Sequence, residues 1–141
     1  MTYKVVVGVD GSPHSAAALR WALTDAEQHQ GEVTAVFAWQ VPFSSFPGLY
    51  DREALEEASK EFLIDKVSEV APRPAVPLLP LVAEGDPAEA LVVAAKDADL
   101  LVVGTSGWSK LAGLLGAVSQ KCAAAAACPV VLVKRDDPAE S

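Results

Sequence analysis

Cationic side chains are scarce in this sequence: eleven Lys and Arg stand against nineteen Asp and Glu, for a net charge of −8. A surface of that sign repels phosphate backbones at long range, and no basic stripe interrupts it, so nucleic acid is not an expected partner. Cysteine is nearly absent as well. Cys122 and Cys128 flank five alanines and match no metal-ligand spacing; with no secretory leader in view they read as reduced, small apolar residues rather than as a disulfide. The two histidines, His14 and His29, have no cysteine beside them, which disfavours a zinc site, and both read as surface residues. Long hydrophobic runs are missing too. The longest, Cys122 to Val133, falls short of the roughly 20 residues needed to cross a bilayer and contains Pro129, so no membrane association is expected. Met1-Thr2-Tyr3-Lys4 carries one basic residue, and the apolar stretch after it runs into Asp10. That is not the pattern of a signal peptide, and the expected location is the cytoplasm.

What is present is hydrophobic: 51% of the 141 residues, with a mean hydropathy of +0.26. A chain of this length buries roughly 70% of its unfolded surface in one core, which favours a single domain. Tyr3 to Val9 is a β-branched run ending in the turn cluster Asp10-Gly11-Ser12-Pro13, which predicts a buried strand followed at once by a helix, with Ser12 as cap and Pro13 in its first turn. Leu19, Ala22, Leu23 and Ala26 mark the apolar face of that helix, and Gly31 is its expected terminator. Glu32 to Trp39 reads as a second strand. Asp51 to Val70 reads as an amphipathic helix with Leu55, Ala58, Phe62, Leu63, Val67 and Val70 on its apolar face. A third strand, about Val76 to Glu84, contains Pro77 and Pro80, which remove ladder donors and argue for an edge position. Asp86-Pro87-Ala88-Glu89 has the spacing of a capping box opening a helix to about Lys96. Asp99 to Val103, Val118 to Ala127 and Pro129 to Lys134 read as strand, helix and strand. Residues 136–141 form an acidic tail.

Alternating strands and helices predict an α/β fold: a Rossmann-like, five-stranded parallel sheet, order 3-2-1-4-5, with about four helices on both faces. Ligands of such sheets bind beyond the carboxyl ends of the strands where strand order reverses, which singles out the loops after strands one and four. The first, Gly8-Val9-Asp10-Gly11-Ser12, places a carboxylate beside a helix N-terminus, although the same residues are ordinary turn and capping residues. The second, Gly104 to Ala117, holds four glycines and several hydroxyls between a strand and a helix, a composition that lets backbone N–H groups approach an anion. Neither loop is a Walker A motif, a dinucleotide fingerprint or a nucleophile elbow. No Ser or Cys has a histidine partner and no carboxylates pair, so no catalytic residue and no metal site is expected. A phosphoacceptor receiver domain fails on Leu78-Leu79-Pro80-Leu81-Val82, which supplies no aspartate. Phe37, Trp39, Phe43, Phe46 and Tyr50 gather five of the nine aromatics into one short stretch, which reads equally as a lid or partner surface and as a loop folded onto the core.

Taken together, Val5-Val6-Val7-Gly8-Val9-Asp10-Gly11-Ser12, Ala98-Asp99-Leu100-Leu101-Val102-Val103-Gly104, Gly116-Ala117-Val118-Ser119-Gln120-Lys121 and Cys128-Pro129-Val130-Val131-Leu132-Val133 resemble the universal stress protein family, over a domain of residues 1–135. ATP-binding members follow the fourth strand with Gly, two residues, Gly, nine residues, then Gly and Ser or Thr. Gly104 and Gly107 match; eight residues separate Gly107 from Gly116, and Ala117 stands at the hydroxyl position. The resemblance implies that Val9 and Asp10 lie beside adenosine and that the backbone of Ala38 reads adenine. It further implies that Gly104, Ser106 and Gly107 line ribose and phosphates, and that Gly116, Ala117, Val118 and Ser119 present N–H groups to the phosphates. Lys110 could add charge there, but reads better as a solvated loop lysine, since the family does not require a cation at that position. ATP is the implied ligand, with ADP or AMP as alternatives, magnesium entering only with the nucleotide, and hydrolysis slow or absent. A homodimer through Pro129–Val133 is implied as well. The alternative function is a module that binds no nucleotide and acts through dimerisation or protein partners.

Overall fold

The computed structural model describes residues 2–41, 51–105 and 116–134. The described elements are β1 (Lys4–Gly8), α1 (Pro13–Gln28), β2 (Glu32–Trp39), α2 (Arg52–Val70), β3 (Leu78–Glu84), α3 (Pro87–Ala94), β4 (Leu100–Gly104), α4 (Ala117–Ala125) and β5 (Val130–Val133). All pairings are parallel, and the sheet order is β3-β2-β1-β4-β5. Proline explains one edge. Pro80 lies opposite Ala35 in the β2–β3 ladder and has no N–H to give an outer neighbour, so β3 is tolerated only at the margin.

Strand alternation divides the core in two. Val5, Val7, Val33, Ala35 and Val102 face α1 and α2 and pack with Leu19, Ala22 and Leu63. Val6, Val36, Leu101 and Val103 face α3 and α4 and pack with Leu91, Ala95 and Cys122. Because β1 is buried on both faces, its residues read as a continuous apolar run rather than as an alternating one.

Local chemistry sets the helix starts. Ser12 accepts from the Ser15 N–H at 3.1 Å, Asp51 from Glu53 and Ala54, and Asp86 from the Glu89 N–H at 3.1 Å. The expected end of α1 needs correction. Gln30, not Gly31, takes the left-handed conformation (φ 53°), and the Gly31 N–H closes the helix on the Ala26 carbonyl at 2.7 Å. Gly31 is required for space instead: a Cβ there would sit 2.3 Å from the Tyr3 carbonyl oxygen. On α2 the buried face differs by one residue from the expected one. Ala58 is exposed and Ser59 is buried, its hydroxyl satisfied by the Leu55 carbonyl at 2.8 Å. α4 stops at Ala125, two residues before the expected end, because Ala126 turns to extended backbone ahead of Cys128-Pro129.

Cys122 is buried, Cys128 is partly so, and burial pushes both thiols up, away from reactive thiolate. Phe37 packs against Phe62 with ring centroids 4.9 Å apart, and Trp39 is buried in the sheet, so this part of the aromatic cluster belongs to the core. Phe43, Phe46 and Tyr50 lie outside the described residues, as does the acidic tail. No described helix is long and apolar enough to cross a membrane.

Candidate functional site

β1 and β4 lie side by side at the centre of the sheet, and their chains leave in opposite directions, β1 into α1 and β4 towards α4. A cleft of about 210 Å³ opens at that divergence. Its floor is Gly8, Val9, Val36 and Val103, and its walls come from the first turns of α1, α3 and α4. Glycine makes the close approach of α1 to β4 feasible: a Cβ on Gly104 would lie 2.5 Å from the His14 carbonyl oxygen and 2.6 Å from its carbon. Gly8 is similarly crowded by Leu91 of α3.

At one end of the cleft sits Asp10. Its Oδ1 accepts the Ser12 N–H at 2.9 Å, its own N–H donates to the Ser15 hydroxyl at 3.2 Å, and that hydroxyl donates to the Ser12 carbonyl at 3.1 Å. Gly11 closes this turn with φ +86°, where a side chain would be strained and would also meet Phe62. Burial pushes the Asp10 carboxyl up, but hydrogen bonds from Ser12 and Ser15 outweigh it and hold the group below the usual carboxylate range. Asp10 is therefore ionised at neutral pH, an acceptor with lone pairs still open to the cleft.

Opposite Asp10 is a stretch of main chain that finds no partner among the described residues. The Val9 N–H donates to the Val36 carbonyl at 2.8 Å, which is the last bond β1 makes to β2. Two residues on, Ala38 points its N–H and C=O to the same side as Val36, but β1 has already turned away. Ala38 thus offers one donor and one acceptor to the cleft, in the paired arrangement that suits the edge of a heterocycle.

The other end is the start of α4. α-Helix geometry leaves the N–H groups of Ala117, Val118 and Ser119 without intrahelical partners, and Gly116, unlike the caps of α1, α2 and α3, supplies no side-chain acceptor. These donors and the helix dipole point at the cleft and favour an anion. The Ser119 side chain is spent elsewhere: it is buried, and its hydroxyl donates to the Gly104 carbonyl at 3.0 Å, tying α4 to the end of β4.

The structure therefore brings Val9, Asp10, Ala38 and Gly104 into one cleft with Gly116, Ala117, Val118 and Ser119. Ser106, Gly107 and Lys110 lie outside the described residues. Sequence reasoning missed the α3 wall, Pro87 and Leu91, for which no local signal exists. It also misplaced His14, which is half-buried and lines the cleft, whereas His29 is exposed and stacks on Tyr3.

Comparison with known proteins agrees with this architecture. Residues 1–134 match the Universal stress protein family. A universal stress protein of Mycobacterium tuberculosis is 37% identical over 134 residues, covering 93% of this chain but 45% of that protein. The chain thus spans about half the length of the first curated relatives it matches. One from Methanocaldococcus jannaschii is 35% identical over 139 residues, covering 94% of this chain and 82% of that one. Among solved structures, a universal stress protein in complex with cAMP superposes with a TM-score of 0.68 at 30% identity, covering 96% and 98% of the two chains. A family protein from Arabidopsis thaliana with AMP bound gives 0.63 at 25% identity, covering 95% and 92%. With its parallel sheet, its strand order and a family match running almost end to end, the chain belongs to the universal stress protein family.

Proposed function

We propose that this chain is an adenine-nucleotide-binding regulatory protein of the stress response, cytoplasmic and homodimeric, which holds ATP as a bound ligand and hydrolyses it slowly or not at all. The observation that carries this reading is the convergence on one cleft of three complementary features. They are the main-chain edge of Ala38, unpaired among the described residues, for adenine, the ionised Asp10 for the ribose hydroxyls, and the N-terminus of α4, where Gly116 supplies no side-chain cap, for phosphate. Relatives of the same fold bind cAMP and AMP, which supports the adenine end of the reading. On this reading magnesium enters only with the nucleotide.

The second reading, a module without nucleotide, draws on Ala117 and on the eight-residue spacing from Gly107 to Gly116. Calorimetric titration of stripped protein with ATP, ADP and AMP separates the two readings, together with identification of any nucleotide that copurifies. Ala117→Ser is expected to tighten ATP by up to about tenfold, roughly 1.5 kcal/mol, by adding a donor at the start of α4, with AMP barely changed. If neither the parent nor Ala117→Ser binds any adenine nucleotide at millimolar concentration, the module reading stands.

The assembly part of this reading rests on the β5 edge of the sheet. β5 pairs only with β4 among the described residues, and its four residues are each half-buried. An apolar edge without proline invites pairing with a second copy about a two-fold axis. Sedimentation is expected to give twice 14.7 kDa at high micromolar concentration, and a monomer there would exclude the dimer.

A further inference from the structure

The donors at the phosphate end of the cleft are neutral main-chain N–H groups, and no lysine or arginine is among the described residues that line it. The protein around it carries a net charge of −8. A polyphosphate held there needs a cation, and one stands just outside the rim. Lys121 lies one turn on from Ala117, on the same side of α4. Its ammonium is 4.0 Å from Asp86 Oδ1, and Asp86 is the N-cap of α3, next to Pro87 in the cleft wall. The lysine stem therefore crosses from α4 to the start of α3, between two helices that both wall the cleft. Side chains on a helix lean towards its N-terminus, so the arc open to this ammonium runs back over the turn that begins at Ala117.

We infer that Lys121 is a phosphate contact that Asp86 holds in reserve. When a nucleotide occupies the cleft, the ammonium turns from Asp86 to the phosphates beyond the one that the α4 N–H groups bind, so ATP and ADP are favoured over AMP. The inference rests on the adenine-nucleotide reading and adds to it a residue that distinguishes ligands by their number of phosphates. Asp86 opposes binding in two ways: it competes for the ammonium, and it repels the incoming anion. The exchange disturbs little else. At 4.0 Å the pair is beyond hydrogen-bond distance, and the Lys121 and Asp86 side chains are 65% and 36% exposed, so little stability is lost when it parts. Asp86 then keeps its firmer partner, the Glu89 N–H at 3.1 Å, and α3 stays capped.

The test is calorimetric titration of the whole protein with ATP, AMP and adenosine in magnesium-free buffer, for the parent, Lys121→Gln, Lys121→Arg and Asp86→Asn. Lys121→Gln is expected to lower ATP affinity about five- to tenfold, AMP affinity far less and adenosine affinity not at all, the size of one solvated charge-assisted contact. That loss should shrink when about 0.5 M salt screens the contact, and Lys121→Arg should keep the parent's ATP affinity. Asp86→Asn retains an oxygen for the α3 cap and should bind ATP about two- to fivefold tighter, a gain that a purely structural ion pair would not give. Equal ATP affinity in parent and Lys121→Gln, or an equal loss for ATP and adenosine, would overturn the role of Lys121 and leave the nucleotide reading standing. A loss of ATP affinity in Asp86→Asn as large as that in Lys121→Gln would overturn it too, by showing the pair to be structural. No binding of ATP, AMP or adenosine by the parent would overturn both readings. If Lys121→Gln does not fold, Asp86→Asn decides: an ATP affinity no higher than the parent's overturns the inference.

Discussion

Gly104→Ala is expected to destabilise the fold by about 2–3 kcal/mol and to lower Tm by roughly 6–10 °C, which thermal and urea unfolding would measure. The reason is the identity of the atoms in the way. A Cβ at this position meets the His14 carbonyl oxygen at 2.5 Å and its carbon at 2.6 Å, which are main-chain atoms of α1 and cannot swing aside as a side-chain tip would. α1 must lift off β4, and the contacts of Leu19 and Ala18 with the sheet loosen with it. The same movement displaces Ser12 and Ser15, which hold Asp10, so nucleotide affinity should fall along with stability. Gly8→Ala is the internal comparison, because its Cβ would meet the flexible Leu91 side chain at 2.9 Å and should cost less. A Gly104→Ala protein with the parent's Tm would show that α1 and β4 are not packed this closely.

Asp10→Ala is expected to weaken ATP, ADP and AMP alike by roughly 10- to 100-fold, the worth of one or two hydrogen bonds to a charged acceptor. Stability should fall by only about 1 kcal/mol, for the lost bond to the Ser12 N–H. Asp10→Asn separates the two contributions. Asparagine keeps an oxygen for the Ser12 turn and so the fold, but gives up the negative charge offered to ribose hydroxyls. Its stability should match the parent's in acid and lie slightly below it at neutral pH, with affinity still reduced. Equal ATP affinity in parent and Asp10→Ala, both folded, would remove Asp10 from the site. Since hydrogen bonds hold the Asp10 carboxyl below its ordinary range, its contribution to stability is present above the unfolded carboxylate value, near 3.9, and is lost as pH falls through the lower folded value. Asp10→Asn should therefore flatten part of the acid limb of the unfolding profile.

Much of the sheet was legible in the sequence because its signals are local. The β-branched run of Val5 to Val9, the caps Ser12 and Asp86, and the prolines that confine β3 to an edge each act within a few residues. The cleft was legible where its parts come from strand ends and helix starts, as with Asp10, Gly104 and Gly116. It was illegible where a wall arrives from a distant segment. Leu91 touches Gly8 across more than eighty residues, and nothing in Ala90-Leu91-Val92 distinguishes it from any other core leucine. His14 was misjudged for a related reason. It follows the turn residues Gly11-Ser12-Pro13, which suggest a surface position, but its place is decided by how closely α1 can settle on a glycine of β4. The buried face of α2 slipped by one residue because Ser59, polar by type, satisfies its hydroxyl within its own helix and can then be buried as if apolar.

The bond from the Ser119 hydroxyl to the Gly104 carbonyl also bears on how this protein can diversify. It fastens together the two ends of the connection between β4 and α4, fifteen residues apart in sequence, so the spacing of those ends no longer depends on how many residues lie between them. For a closed loop, even a doubling of length costs only about 0.6 kcal/mol, and the loss or gain of one residue costs far less. The first turn of α4, which lines the cleft, is thereby held in register with the sheet by a bond of its own, and the insertion or loss of one residue between Gly104 and Gly116 should leave that register in place.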